Sequence, residues 1–451
     1  MLPTTSFMKS RLKRTIEMMA DQGHEVGASL QELEQTADSL DALLTFARRI
    51  KDLPMRADWE YVEPTEYAAV EAEMSPRRFD VLVKTDDTAA YAVKAEAAFL
   101  GSVLGCILGK PLEVNPTWAE LQKAGEACGA WPIQDFISER FLEALGRRHE
   151  SWSETIKENI QYVAADDDLH YSVMGMLNLE KFGLGLDAMG VKDTWLRHQS
   201  INFVWGPERL MTAVLALDHL MEEGGENAQT NEDIWQWGEI LNPGNELCGA
   251  AIRADAYGYA FAGRPDLAAK YAFIDASFTH RRTGVYSTMY IAAAISLMFV
   301  AKDPMQAFAD ALLFIPQRSR FHRMMSLCLE YVATSTSFED GYNRIHNRFG
   351  EYDHCKVYQE VGTLANTLKY AENVWDGVCK QVMQGNDTDS FGCTAGSLLG
   401  AWFGVADHER LRIFNGEIQI SLASFHEHSL SALAKRMGQL PVALLKQANA
   451  Q

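Results

Sequence analysis

The sequence predicts an all-α protein, on three observations. Apolar residues recur at helical spacing over most of the chain, two glycine stripes repeat every fourth residue, and only one short stretch has strand character. Residues 6–50 read as two amphipathic helices, the second with Leu33, Leu40, Leu43, Leu44 and Ala47 as an apolar stripe against an acidic face. Residues 58–78 are charged and aromatic, with breakers at Pro64 and Pro76, and read as a linker or wrapping segment. Helical patterns then follow at 88–109, 137–147, 154–163, 167–181, 207–222, 249–262, 265–280, 284–301, 304–314, 319–334, 356–383, 390–403 and 429–446. The strand candidates are 411–414 and 417–420, flanking Asn415-Gly416, a dipeptide suited to a two-residue hairpin. One hairpin does not make a sheet protein.

Composition narrows the function. Hydrophobic residues make up 47% of the 451, enough for a large core. A net charge of −20 argues against nucleic acid as partner, because phosphate binding needs clustered Lys and Arg. Seven scattered cysteines, odd in number and never spaced as CxxC, point to a reducing compartment and away from a disulfide frame or structural zinc. The apolar run 290–300 is too short to cross a bilayer and reads as buried helix. Lys9, Arg11, Lys13 and Arg14 are followed by Glu17 and Asp21 rather than by an apolar h-region. The expectation is a cytoplasmic protein with no membrane partner.

The two glycine stripes lead to carboxylates. Gly101, Gly105 and Gly109 precede Glu113, and Asp387 and Asp389 precede Gly392, Gly396, Gly400 and Gly404. A repeat of four keeps glycines on one side of a helix, where they let two backbones approach closely. Antiparallel packing of the stripes would gather the acids at one end, and oxygen-only clusters bind hard divalent cations. Asp166, Asp167 and Asp168 form a second acidic run. Acids in a first helical turn suit the helix dipole, but three adjacent charges repel unless a cation bridges them. In Gln384-Gly385-Asn386-Asp387-Thr388-Asp389-Ser390 an N-cap role accounts for one aspartate and not for both. Thr85-Asp86-Asp87-Thr88 stands at the far end of the first glycine helix from Glu113 and reads as an N-cap.

The order of these motifs resembles the ADP-ribosylglycohydrolase family. It is carried by Gly101-xxx-Gly105-xxx-Gly109-xxx-Glu113, then Ala165-Asp166-Asp167-Asp168, then Gly249 to Arg253, then Thr279-His280, then Gly385 to Ser390 ahead of Ala395-Gly396. The resemblance implies one large orthogonal helical domain over 91–451, with 1–90 as an N-terminal helical extension. It implies a pair of magnesium ions, or manganese, held by Asp166, Asp167, Asp168, Asp387, Asp389 and Ser390. Glu113 or Asp167 would take a proton from the attacking water, while Gly249, Arg253 and His280 would line the ADP-ribose site. From the residues alone, Arg253 equally suits tying down a neighbouring acid. The implied activity is hydrolysis of the bond joining ADP-ribose to an arginine-type side chain or a small acceptor. A non-catalytic ADP-ribose binder or structural member is the alternative. The chain departs from the family pattern at Ala165 (usually Thr), Ser390 (usually Thr), Lys110 (commonly Asp) and Cys248 (commonly Asn).

Overall fold

A computed structural model describes residues 4–83, 87–223, 238–352 and 355–449. Helices dominate, and isolated β-bridges are the only extended pairings among the described residues. Two compact units are distinguished: Met1–Tyr61 with Val204–Asn245, and Val62–Phe203 with Glu246–Gln451.

In the first unit, α1 (Thr5–Asp21), α2 (Ser29–Gln35) and α3 (Leu40–Lys51) enclose an apolar core. Thr4 caps α1 by accepting from Phe7 N, and Ser39 caps α3 by accepting from Ala42 N. Met8, Leu12 and Ile16 of α1 meet Leu33, Leu43, Phe46, Ala47 and Ile50, with Ile240 and Leu241 closing the cluster. Leu40 and Leu44 of the predicted stripe pack at its edge.

In the second unit the segment after Val62 wraps. Val62 N donates to Arg318 O at 3.0 Å and Tyr286 Oη donates to Pro64 O at 2.5 Å. The buried Arg320 guanidinium bridges Glu63 at 2.7 Å and Glu246 at 2.5 Å. The centre of the unit is formed by α4 (Thr88–Gly109) and α9 (Thr388–Phe403), with α5 (Asp167–Phe182), α6 (Thr283–Met298), α7 (Tyr358–Tyr370), α8 (Val374–Met383) and α10 (Leu430–Asn449) also in the unit. All of α6 is buried, in line with the apolar run read there. Asp87 caps α4 by accepting from Ala90 N at 3.1 Å, while Thr85 and Asp86 lie outside the described residues.

The glycine stripes pack antiparallel in a fixed register. Gly101 faces Gly396, Gly105 faces Gly392, and Gly109 faces Thr388. A Cβ at any of these three glycines would overlap the backbone carbonyl opposite, which no rotamer change relieves. Gly105→Ala should therefore cost about 3 kcal/mol in urea denaturation. A loss below about 1 kcal/mol would mean that the helices separate without penalty.

Sequence and structure differ in several places. Residues 6–50 hold three helices rather than two, 154–163 is helical only at Trp152–Thr155, and Trp118–Cys128, Ala188–His198 and Phe338–Phe349 are helices outside those read from the sequence. Asn415 and Gly416 do turn with positive φ (52° and 77°), but 411–414 is helical and no hairpin forms. Ile418 instead bridges Val163, and Glu417 bridges Ser429. The expected helix over 356–383 is two helices, because Ala371 is extended and Asn373 caps a new start by accepting from Asp376 N.

A buried acid in this core is a pH probe. Asp255 is 1% exposed and accepts from Ser397 Oγ at 2.5 Å and Tyr259 Oη at 3.2 Å. Burial pushes its carboxyl up to about 7, against the pull of those bonds. From about pH 4 to 7 the native state keeps a proton that the unfolded chain releases, so stability falls as pH rises through this window. Asp255→Asn removes that titration, so its melting temperature relative to wild type should climb by several degrees from pH 4 to 7. A pH-independent difference would contradict this account.

Candidate active site

The register of α4 and α9 builds the site. Thr388 Oγ1 donates to Gly109 O at 2.9 Å, pinning the start of α9 to the end of α4. Before it, Gly385 and Asn386 turn with φ of 76° and 61°, and Asn386 N donates to Pro116 O at 2.8 Å. Asp387 and Asp389 are thereby set beside Glu113, one oxygen of each lying within 4.8 Å of the others. Asp387 occupies the N-cap position of α9 without making a capping bond, so neither aspartate is consumed by the helix end. Asp166 is brought in by α5, which it caps by accepting from Asp168 N at 3.0 Å.

A lysine stands in the middle of these acids. Lys110 Nζ lies 2.7 Å from Glu113 Oε2, 2.7 Å from Asp166 Oδ2 and 2.9 Å from Asp389 Oδ2. Its side chain is only 10% exposed. Burial opposes its charge, but Asp166, Asp389 and Glu113 outweigh that and hold the ammonium pKa well above the ordinary lysine value. In turn Asp166 stays below the usual carboxylate range: burial would lift it, and Lys110 more than offsets burial.

One ammonium does not balance the cluster. Burial, reinforced by Asp389 and Asp387, pushes Glu113 up to about 10 despite Lys110. Asp387 rises well above its ordinary value through burial, Asp389 and Glu360, and Asp168 through burial, Asp166 and Asp389. Both oxygens of Asp168 and Oδ1 of Asp389 are buried without a hydrogen-bond partner. Excess carboxylate with unpartnered buried oxygens fits a bound divalent cation. Among the described residues, the Glu113, Asp387 and Asp389 oxygens form an all-carboxylate set close enough to share one.

The profile of the ADP-ribosylglycohydrolase family matches residues 87–410, more than half of the chain. The chain belongs to the ADP-ribosylglycohydrolase family. A solved structure described as an "ADP-ribosylglycohydrolase-related protein complex" is similar, with a TM-score of 0.46 and 16% identity over 78% of this chain and 99% of that one. No curated protein matches the chain.

Within this family member the other residues singled out in the sequence fall into two groups. Asp167 is half-buried in the first turn of α5, and Ser390 is buried in the first turn of α9, where its side chain bonds Asp387. Asp168 turns inward, one of its oxygens lying within 4.8 Å of Cys106 Sγ and an Asp166 oxygen. Gly249 lies half-buried in the 3-10 helix Cys248–Arg253.

Arg253 and His280 sit deeper. Arg253 is 1% exposed, pairs with Asp275 at 3.1 Å, donates to Thr279 Oγ1 at 2.8 Å, and stacks over Trp195. Of the two readings open for it, the tie to a neighbouring acid is the one its contacts follow. His280 is wholly buried with Nδ1 2.8 Å from Thr279 Oγ1, and burial, with Arg253 and Arg281, keeps it neutral. Neither side chain reaches solvent in this conformation.

Sequence reasoning passed over three neighbours. His149 Nε2 lies 3.4 Å from Glu113 Oε2, and nothing near it in the sequence marks it. Glu360, on α7 in a stretch read only as helix, and Cys355, noted only among the scattered cysteines, both border Asp387. Lys110 was visible as a substitution, but its three partners were not.

Proposed function

We propose that the chain is a divalent-metal-dependent hydrolase that cleaves the glycosidic bond between ADP-ribose and an arginine-type side chain or a small acceptor. The observation that carries this reading is the convergence of Glu113, Asp387 and Asp389 at the glycine-packed ends of α4 and α9, beside Asp166. A cation there, Mg²⁺ or Mn²⁺, would polarise sugar hydroxyls and a water. Glu113, partly buried and high in pKa, would exchange a proton with that water, with His149 as its neighbour. Asp166 and Lys110 set the charge around it. Because Lys110 Nζ fills the space among Glu113, Asp166 and Asp389, the reading assigns one exchangeable cation and gives the second position to the ammonium.

The same lysine favours a second reading, a member that binds ADP-ribose without turning over a substrate. The test is ADP-ribose release from an ADP-ribosylated arginine protein, with Mg²⁺, with Mn²⁺ and after chelation, alongside calorimetric titration with ADP-ribose. Metal-dependent release supports the hydrolase. Binding without release in any metal supports the alternative, and neither binding nor release would sink both.

A further inference from the structure

Two thiols border the carboxylate cluster and share Asp387 with it. Cys248 opens the 3-10 helix Cys248–Arg253, and Cys355 stands three residues before α7. The backbone locks them together: Cys248 N donates to Cys355 O at 2.9 Å, and Cys355 N donates to Glu360 Oε1 at 2.6 Å. Cys355 holds this position with φ of +67°, a conformation that a non-glycine residue seldom adopts. Both thiols point at one oxygen. Cys248 Sγ lies 3.4 Å and Cys355 Sγ 3.8 Å from Asp387 Oδ2, and the three ligand atoms fall within 4.8 Å of one another.

These separations have a simple reading. A tetrahedral zinc ion with bonds of about 2.3 Å to sulfur and about 2.0 Å to oxygen requires sulfur–oxygen edges of about 3.5 Å. The two observed sulfur–oxygen distances bracket that edge. Two thiols on one carboxylate could instead be a plain pair of S–H donors, so an independent observation is needed. Glu360 supplies it. Its residue is 3% exposed and Oε2 is buried with no hydrogen-bond partner, while its charge is felt by Cys248, Cys355 and Asp387 alike. Four acidic groups therefore share one buried corner, and the ion pairs of Lys110 go to Glu113, Asp166 and Asp389 instead.

We propose that Cys248, Cys355 and Asp387 form a site for a thiophilic divalent cation of the zinc type, with Glu360 as the fourth ligand or its hydrogen-bonded support. Binding expels the two thiol protons, together with any proton held by Asp387, to solvent and leaves two thiolates and a carboxylate on the cation. Hard Mg²⁺ is a poor match for sulfur, so the site selects against the cation that the oxygen cluster would take. Asp387 is common to both sets, and a cation on its Oδ2 would draw its charge toward the thiols. The inference rests on the sulfur geometry and not on glycohydrolase activity.

The test uses the full chain, purified under reductant, stripped with chelator and titrated anaerobically with Co²⁺ as a spectroscopic stand-in for Zn²⁺. Expected are about one Co²⁺ bound per chain, an intense near-ultraviolet thiolate-to-cobalt charge-transfer band, and visible bands of tetrahedral strength, all displaced by Zn²⁺. Cys248→Ser and Cys355→Ser should each abolish the charge-transfer band, whereas Cys128→Ser should keep it. Melting curves of each variant show whether it is folded, and the wild-type spectrum decides the question even where a variant is not. Weak octahedral bands without charge transfer would overturn the proposal. ADP-ribose release plays no part in these readouts, so the proposal stands or falls apart from the hydrolase reading.

Discussion

Replacing Lys110 by methionine should remove about 3–5 kcal/mol of stability in metal-free buffer at neutral pH, and millimolar Mg²⁺ should return a large part of it. The ammonium lies within 2.9 Å of three carboxylates on elements far apart in sequence, and it is nearly excluded from water. Removing one partner of a buried ion cluster leaves the rest uncompensated, which is far costlier than losing an exposed pair. The loss should depend on pH in a defined direction. Asp166 is held below its ordinary range by Lys110, so the contribution is present above the unfolded carboxylate value of about 4 and vanishes as pH falls through the native one. In the variant these acids can take protons instead, so its deficit should be largest near pH 8 and shrink on acidification. Thermal melts of wild type and Lys110→Met at two pH values, each with and without Mg²⁺, read out both effects. A variant as stable as wild type and indifferent to Mg²⁺ would show that the ammonium does not hold the cluster together.

The helix pair was legible in the sequence because glycines at every fourth residue have essentially one packing consequence. Their register then set where Glu113, Asp387 and Asp389 meet. The break at Asn373 was visible in principle, since Asn373 with Asp376 is a helix-start pattern, but it was overridden by the apolar run on either side. Asn415-Gly416 gave the turn correctly and the strands wrongly, because a strand needs a partner along its length and local alternation does not supply one. Lys110 shows the limit of reading residues singly. A lysine in place of an aspartate looks like the loss of a ligand, whereas in three dimensions its flexible stem delivers a cation to the acids that a metal would otherwise bridge. Cys248 and Cys355 lie beyond any spacing rule, because the contact between them depends on two turns closing on each other through a backbone hydrogen bond. Arg253 was ambiguous for the opposite reason: guanidinium serves anion binding and core ion pairing equally well, and only burial separates them.

Asp387→Ala should lower any ADP-ribosyl hydrolysis by more than about 100-fold while leaving the melting temperature equal to or above that of wild type. The two halves of this prediction have separate causes. Asp387 is 6% exposed and makes no capping bond to α9, so the helix loses no cap when its carboxylate is removed. Its carboxyl is driven well above the ordinary range by burial, Asp389 and Glu360, so in the metal-free protein it is a source of repulsion rather than support. A residue retained against such a cost has its use in a state where a cation is present. Its oxygens are shared with Glu113 and Asp389, and removing one donor from that set should weaken cation binding as well as turnover. Measured together, a sharp fall in activity, a weaker Mg²⁺ dependence of the melting temperature and an undiminished metal-free melting temperature mark a functional acid. A large drop in metal-free stability would instead make Asp387 a structural residue and remove the central support for the hydrolase reading.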